Sequence, residues 1–362
     1  MTSDPRARLA APPMTTKNAA AALCAPSSER GLHLLARLDE VAALESRLAG
    51  AALSRTVRDR LRPASEALSQ APTGWRRQVR FGRHFLTRLA TLRTHFPQCA
   101  GVINYVEAMA HLACRGDRVV RLPPMLLAGP PGVGKTYFAA RLAATLRLPY
   151  HDIHMESTTA GWILTGGDCS WQDSKPGRIF EALVHGRYAN PMVLLDEVDK
   201  VPPGQKYDPM GALYGLLEPH TAARFRDEYA SVTVDASRIN WVLTANTLEQ
   251  VPEPIRSRTQ VFHIPEPSFL QRLAIARLMY EQLLSKESWG AGFDPALGEA
   301  TAIRLAEVSD SARDLRQTIV LACARAAARG ADALLPCDVD VMDERVLPSG
   351  IDLRSAEPIG HA

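Results

Sequence analysis

Gly129-Pro130-Pro131-Gly132-Val133-Gly134-Lys135-Thr136 decides how this chain is read. The octet fits the spacing GxxxxGK[ST]. It directly follows the short apolar run at 125–128 and precedes an Ala- and Leu-rich stretch of helical spacing. Its glycines let the backbone curl until N–H groups point inward, and the helix that follows adds a positive N-terminus, so the turn suits phosphates. In such a turn Lys135 neutralises β- and γ-phosphates and Thr136 offers a hydroxyl to Mg2+.

Downstream, Met192-Val193-Leu194-Leu195-Asp196-Glu197 is an apolar run that ends in two acids. At the carboxyl edge of a sheet, Asp196 can complete the Mg2+ shell while Glu197 polarises a water for in-line attack. Trp241-Val242-Leu243-Thr244-Ala245-Asn246 is a second buried run, and Asn246 at its end can orient the attacking water. Runs that are apolar throughout, rather than alternating, indicate strands covered on both faces, hence a parallel sheet with helical crossovers. Arg256 and Arg258 follow in a proline-rich stretch, either able to reach a neighbouring subunit's nucleotide, and Arg313 opens a late helix from which it can touch the γ-phosphate.

Taken in this order, the motifs resemble an AAA+ ATPase, and more closely the ATPase module of the Lon proteases. GPPGVGKT at 129–136, LLDEVDK at 194–200, YDPMGALYGLLEP at 207–219, TANTLEQVPEPIRSR at 244–258 and SARDLRQ at 311–317 carry the resemblance, which spans residues 96–347. It implies Mg·ATP bound between an α/β core and a helical lid, with Asn246 as first sensor, Arg313 as second and Arg258, rather than Arg256, as arginine finger. A finger acting in trans implies a homo-oligomer, a hexamer by analogy, that remodels a partner protein. The resemblance also places Trp171, shortly before Pro176 and Gly177, among pore-loop aromatics that grip polypeptide; a large flat side chain can pack on an unfolded chain of any sequence. Trp162 is a rival for that role. Only 49 residues follow Arg313, so no Lon-type peptidase is expected, and the large Lon N-terminal domain has no counterpart.

The rest of the chain divides around this core. Residues 1–30 are rich in Ala, Pro, Ser and Thr and read as disordered, with Met1 or Met14 as the start. Residues 31–97 read as an Arg-rich helical region, 98–267 as the α/β nucleotide-binding core, 268–348 as a helical lid and 349–362 as a tail. Leu34, Leu35, Leu38, Val41, Leu44 and Leu48 form one helical stripe. Leu315, Ile319, Ala322, Cys323 and Ala326 form another, with Gly330 placed to end it. Between 55 and 93 stand ten arginines against Asp59 and Glu66, interleaved with Trp75, Phe81 and Phe85. This reads as a solvated or docking face, or as a nucleic-acid arm with stacking aromatics; the latter makes a nucleic-acid-associated ATPase the main alternative, with a nucleotide-gated scaffold third.

Composition narrows the class. With 42 Lys and Arg against 39 Asp and Glu, the net charge of +3 gives no polyelectrolyte signal across the 362 residues. No apolar run is long enough to span a membrane. The six cysteines lack CxxC pairing, which argues against a zinc knuckle or disulfide framework and fits a cytoplasmic protein. His151 and His154 flank Asp152, but on a strand they point to opposite faces and read as structural. Cys169 carries no sign of activation.

Overall fold

The computed structural model describes residues 31–156, 161–169, 171, 174–201, 209–309 and 311–340. Met1, Met14, the segment expected to be disordered and the tail lie outside this set, as do Tyr207, Asp208 and the neighbours Ser170, Gln172 and Asp173 of Trp171. The chain forms two compact units. The first holds the described residues up to 130 together with 134–265; the second holds Pro131–Val133 and the described residues from Glu266 onward.

The first unit opens with strand β1 (Leu32–Leu34), helices α1 (Leu38–Ala49) and α2 (Arg55–Ser69), and strand β2 (Trp75–Arg77). Helices α3 (Phe85–His95) and α4 (Ala100–Cys114) lead into the sheet. The region expected to be purely helical therefore also carries an antiparallel ribbon, in which Leu32 pairs with Arg77 and Leu34 with Trp75. Leu34 joins this ribbon instead of the helical stripe. Only from Leu38 does the three-and-four spacing become helix, with Val41 and Leu44 buried. Arg76 explains why a short strand of polar residues is stable. Its guanidinium is buried and donates to the carbonyls of Gly186, Trp75, Ala67 and Val184 at 2.7–3.1 Å, serving three part-buried backbone acceptors and, at Val184, a buried one.

The apolar runs become a five-stranded parallel sheet in the order β4-β5-β8-β3-β9. Its strands are β3 (Met125–Ala128), β4 (Tyr150–His154), β5 (Met192–Asp196), β8 (Asn240–Ala245) and β9 (Gln260–His263). Helices α5 (Lys135–Leu146), α6 (Trp162–Thr165), α7 (Arg178–Val184), α8 (Pro209–Leu216), α9 (Pro219–Ala222) and α10 (Glu253–Arg256) fill the connections. A two-stranded hairpin, β6 (Phe225–Asp227) and β7 (Val232–Val234), precedes β8. Every residue of β3, β5 and β8 is buried, as strands flanked on both faces require. Fully burying each of their Leu and Val side chains contributes about 1.5–3 kcal/mol before chain entropy is subtracted. Two buried amides tie this sheet to the N-terminal layer. Asn190 bonds Val79 N–H and the Val79 and Val120 carbonyls, and Asn240 accepts from Leu122 N–H.

Among the described residues of the second unit there are only helices: α11 (Phe269–Lys286), α12 (Glu299–Val308), α13 (Ala312–Ala328) and α14 (Pro336–Val339), with short 3-10 turns. Ser268 and Gln271 form a reciprocal cap on α11. The stripe Leu315, Ile319, Ala322, Cys323 and Ala326 is buried, packing with Ala276, Tyr280 and Leu283 in a separate core. Gly330 sits at φ +69°, the left-handed turn that ends α13.

Candidate nucleotide site

Strand register brings the chemistry together. β3 occupies the sheet between β8 and β9, and β5 pairs with β8 on the other side, so Ala128, His154, Asp196 and Ala245 all end on the carboxyl edge. Crevices at this edge, where neighbouring strands diverge to opposite sides, are where α/β sheets hold ligands.

From Ala128 the chain turns through the glycine loop. A side chain at Gly129 would stand 2.1 Å from the Ile264 carbonyl, so the loop can lie this close to β9 only without one. Gly132 and Gly134 adopt φ of +80° and +90°, a region other residues enter at a cost. Gly134 is the N-cap of α5. Lys135, its first residue, is buried, and Nζ donates to the carbonyls of Gly129 (2.6 Å) and Pro130 (2.8 Å) and to Oδ1 of Asn246 (2.8 Å). Burial lowers its pKa, against the opposing pull of Asp199, Asp196 and Glu197. The Lys135 amine thus rests on neutral oxygens, with the nearby acids offsetting part of the effect of burial.

Thr136 Oγ1 donates to Asp196 at 2.9 Å, and the Thr244 hydroxyl donates to Asp196 Oδ1 as well. Thr244 in turn accepts the Glu197 N–H at 2.9 Å. Glu197 sits at φ 59°, ψ 51°, a left-handed conformation unusual for a side-chain-bearing residue. Asp199 accepts the N–H groups of Asn246 and Thr247, both at 3.0 Å, and so fixes the loop that carries Asn246. Neither Thr244 nor Asp199 stood out in the sequence. Their role became readable only once β5 and β8 were known to be neighbours.

Among the described residues no three His, Cys, Asp or Glu side chains are grouped to hold a metal ion. The pair Thr136 and Asp196 nevertheless fits Mg2+, which takes one or two protein oxygens and completes its shell with water and phosphate. His154, read as structural, lies beside this pair. Its Nδ1 lies 3.5 Å from Asp196 and its Nε2 3.7 Å from Asp152.

Arg258 pairs with Glu218 (Nε–Oε1 3.0 Å) and donates to the Pro254 carbonyl at 2.8 Å. Arg256 closes α10. Arg313 stands exposed in the first turn of α13 in the second unit. Trp171 is 49% exposed and meets Trp162, 38% exposed, edge to face at 5.7 Å. The two presumed rivals form one aromatic pair, at a groove of about 410 Å³ also lined by Thr165, Gly166, Asp168 and Glu228. Of the three aromatics expected to stack, Trp75 is half-buried in β2, and Phe81 and Phe85 are corrected by the structure. Phe81 and Phe85 are 4% and 6% exposed and pack on each other at 5.1 Å, and Phe85 also meets His111 of α4 edge to face at 6.4 Å. Arg60, Arg76, Arg80 and Arg88 spend donors on backbone carbonyls.

Residues 125–265 match the sequence profile of the ATPase family associated with various cellular activities (AAA). The mitochondrial Lon protease homologue of Drosophila melanogaster is 37% identical over 149 residues, 41% of this chain and 15% of that protein. The peroxisomal Lon protease homologue 2 of Pichia angusta is 31% identical over 216 residues, 58% of this chain and 23% of that protein. This chain thus spans less than a quarter of the length of these relatives. A Thermotoga maritima RuvB mutant structure matches at TM-score 0.46 and 17% identity, covering 66% of this chain and 67% of that one. No described helix is long and apolar enough to cross a membrane. The chain therefore carries an AAA ATPase module, and that module resembles the ATPase part of the Lon proteases.

Proposed function

We propose that this ATPase hydrolyses Mg·ATP at the Lys135–Asp196 edge and couples turnover, in a homo-oligomeric ring, to pulling on or remodelling a partner polypeptide. The observation that carries the reading is the convergence at the carboxyl edge of two hydrogen-bonded groups, Lys135 with Asn246 and Thr136 with Asp196, Glu197 being attached to the second through Thr244. Lys135 exchanges carbonyl partners for phosphate oxygens when nucleotide arrives. Thr136 and Asp196 hold Mg2+, which neutralises charge on the phosphates. Glu197 accepts the proton of the attacking water, and Asn246 orients that water. Arg258, leaving Glu218, reaches the nucleotide of a neighbouring copy. The role of Arg313 as second sensor rests on the resemblance alone. Trp171, half exposed beside Trp162, grips the polypeptide by packing. Cleavage of peptide bonds is not part of this reading.

Steady-state ATP hydrolysis by the full chain, alone and with an unfolded protein, tests it. Glu197→Gln is expected to keep nucleotide binding and to lower turnover by about 10²–10⁴-fold, the range of a lost general base. A Glu197→Gln protein with wild-type turnover would remove the assigned base, and stimulation by DNA instead of unfolded protein would remove the polypeptide substrate.

A further inference from the structure

Asp227 ends strand β6 with no exposed surface, and among the described residues no cation is bonded to its carboxylate. Instead Oδ2 accepts the Gly177 N–H at 2.7 Å and Oδ1 the Ala230 N–H at 2.7 Å. Gly177 is the far end of the segment that carries Trp171, and Gly166 is its near end. Gly166 holds φ +83° with its α-carbon facing the same carboxylate; a side chain there would stand 2.7 Å from Oδ2. The two ends are also joined directly, Gly167 N–H donating to the Lys175 carbonyl at 3.2 Å. The next residue of the hairpin, Glu228, donates its N–H to the carbonyl of Thr165 at 2.9 Å, which closes the helix bearing Trp162.

We infer that Asp227 is a positioning residue for Trp171, its buried carboxylate tying the Gly177 end of the Trp171 segment to the β6–β7 hairpin while Gly166, the other end, packs against it. For its consequence in function the inference rests on the proposed grip of Trp171; for the placement of Trp171 it does not. A neutral amide of the same size cannot do this work. It keeps one acceptor oxygen and turns the other position into a donor facing an N–H, so one of Gly177 and Ala230 loses its partner. Burial pushes the Asp227 carboxyl up to about 6, so keeping an ionised group here is costly to the fold. The hairpin itself is tied to the N-terminal helices. Glu40 accepts the Thr233 N–H, Arg47 donates to the Ala230 carbonyl, and Arg60 of α2 donates to the Ser174 carbonyl at 2.6 Å, three residues after Trp171. Trp171 is thus held from two sides by groups outside its own segment.

The test is tryptophan emission of the full-length protein. Subtracting the signal of Trp171→Phe from its parent isolates Trp171, both in the wild type and in Asp227→Asn. With Trp171 now 49% exposed, releasing the clasp is expected to raise its acrylamide quenching by up to about twofold. Basal ATP turnover stays within a factor of about two, because Asp227 touches none of the nucleotide site, while stimulation by unfolded protein falls. Unchanged quenching and emission of Trp171 in a folded Asp227→Asn protein would overturn the inference. Should that variant not fold, Gly166→Ala presses a methyl group against the carboxylate and is expected to shift the same signal; an unshifted signal there counts equally against the clasp. If Trp171 moves in Asp227→Asn but Trp171→Ala keeps full stimulation, the positioning role stands and the polypeptide-gripping reading fails.

Discussion

The buried carboxylate of Asp227 makes a pH dependence that can be worked out in advance. Burial is the largest influence and raises its pKa from 3.8 to about 6, with Glu228 adding to the rise and the N–H groups of Ala230, Gly177 and Tyr229 offsetting part of it. Because the folded protein holds this proton more tightly than the unfolded chain, the stabilisation by protonation is fully present below pH 4 and is lost as pH rises through about 6. At about 1.4 kcal/mol per pKa unit, the part of that window between pH 4.5 and 7.5 corresponds to about 2 kcal/mol. Asp227→Asn cannot titrate, so the measurable quantity is the wild-type unfolding free energy minus that of the variant, from urea denaturation at several pH values. That difference is expected to shift against the wild type by about 2 kcal/mol from acid to neutral pH, which also cancels the many other groups that titrate alike in both proteins. The Asn variant pays the loss of an N–H partner at every pH, about 1–3 kcal/mol, but this offset has no slope. A pH-independent difference would show that Asp227 titrates normally in the fold and that its burial is not what the reasoning requires.

Three further outcomes follow from the geometry. Thr244→Val preserves shape but removes the hydroxyl that Asp196 and the Glu197 N–H share; turnover is expected to fall by about 10–100-fold, equivalent to 1.4–2.7 kcal/mol, with nucleotide affinity much less affected in a binding titration. Trp171→Ala keeps basal ATP hydrolysis and loses stimulation by unfolded protein, read in the same coupled assay. Arg76→Met keeps the volume but strands the buried carbonyl of Val184 and the part-buried one of Ala67, and thermal unfolding followed by circular dichroism is expected to report a loss of about 1–3 kcal/mol.

Much of the sheet was legible because its strands obey a strong rule. A parallel strand covered on both faces must be apolar along its length, and the runs ending at Ala128, Asp196 and Asn246 have no other plausible place. The N-terminal layer was not legible for the opposite reason. Counting arginines between 55 and 93 treats each as a charge in water, whereas Arg60, Arg76, Arg80 and Arg88 anchor carbonyls far away in sequence, Arg76 through several donors. Nothing local in Trp75-Arg76-Arg77 announces a strand; partners at Leu32–Leu34, Gly186 and Val184 make it one. Phe81 and Phe85 likewise alternate with arginines in a pattern that suits stacking, until packing turns both inward.

The candidate site shows the same division between what a motif specifies and what a fold must add. The motif names Asp196 and Glu197 as adjacent residues, yet neighbours on a strand point to opposite faces, so both cannot serve one edge if the strand simply continues. The structure resolves this by ending β5 at Asp196 and placing Glu197 at φ 59°, a turn that costs on the order of 1–2 kcal/mol for a residue with a side chain. Two bonds offset it: the Glu197 N–H to Thr244, and the Lys200 N–H to the Glu197 carbonyl at 3.0 Å. Thr244 can give the first only because β8 lies beside β5, with Leu195 opposite Leu243, so that the next residue on β8 faces the turn. An apolar residue at 244 would satisfy the buried strand equally well as a pattern. It would leave the Glu197 amide without its acceptor and Asp196 with one hydroxyl donor fewer, that of Thr136 remaining, so the hydroxyl at this position is explained by the site and not by the sheet.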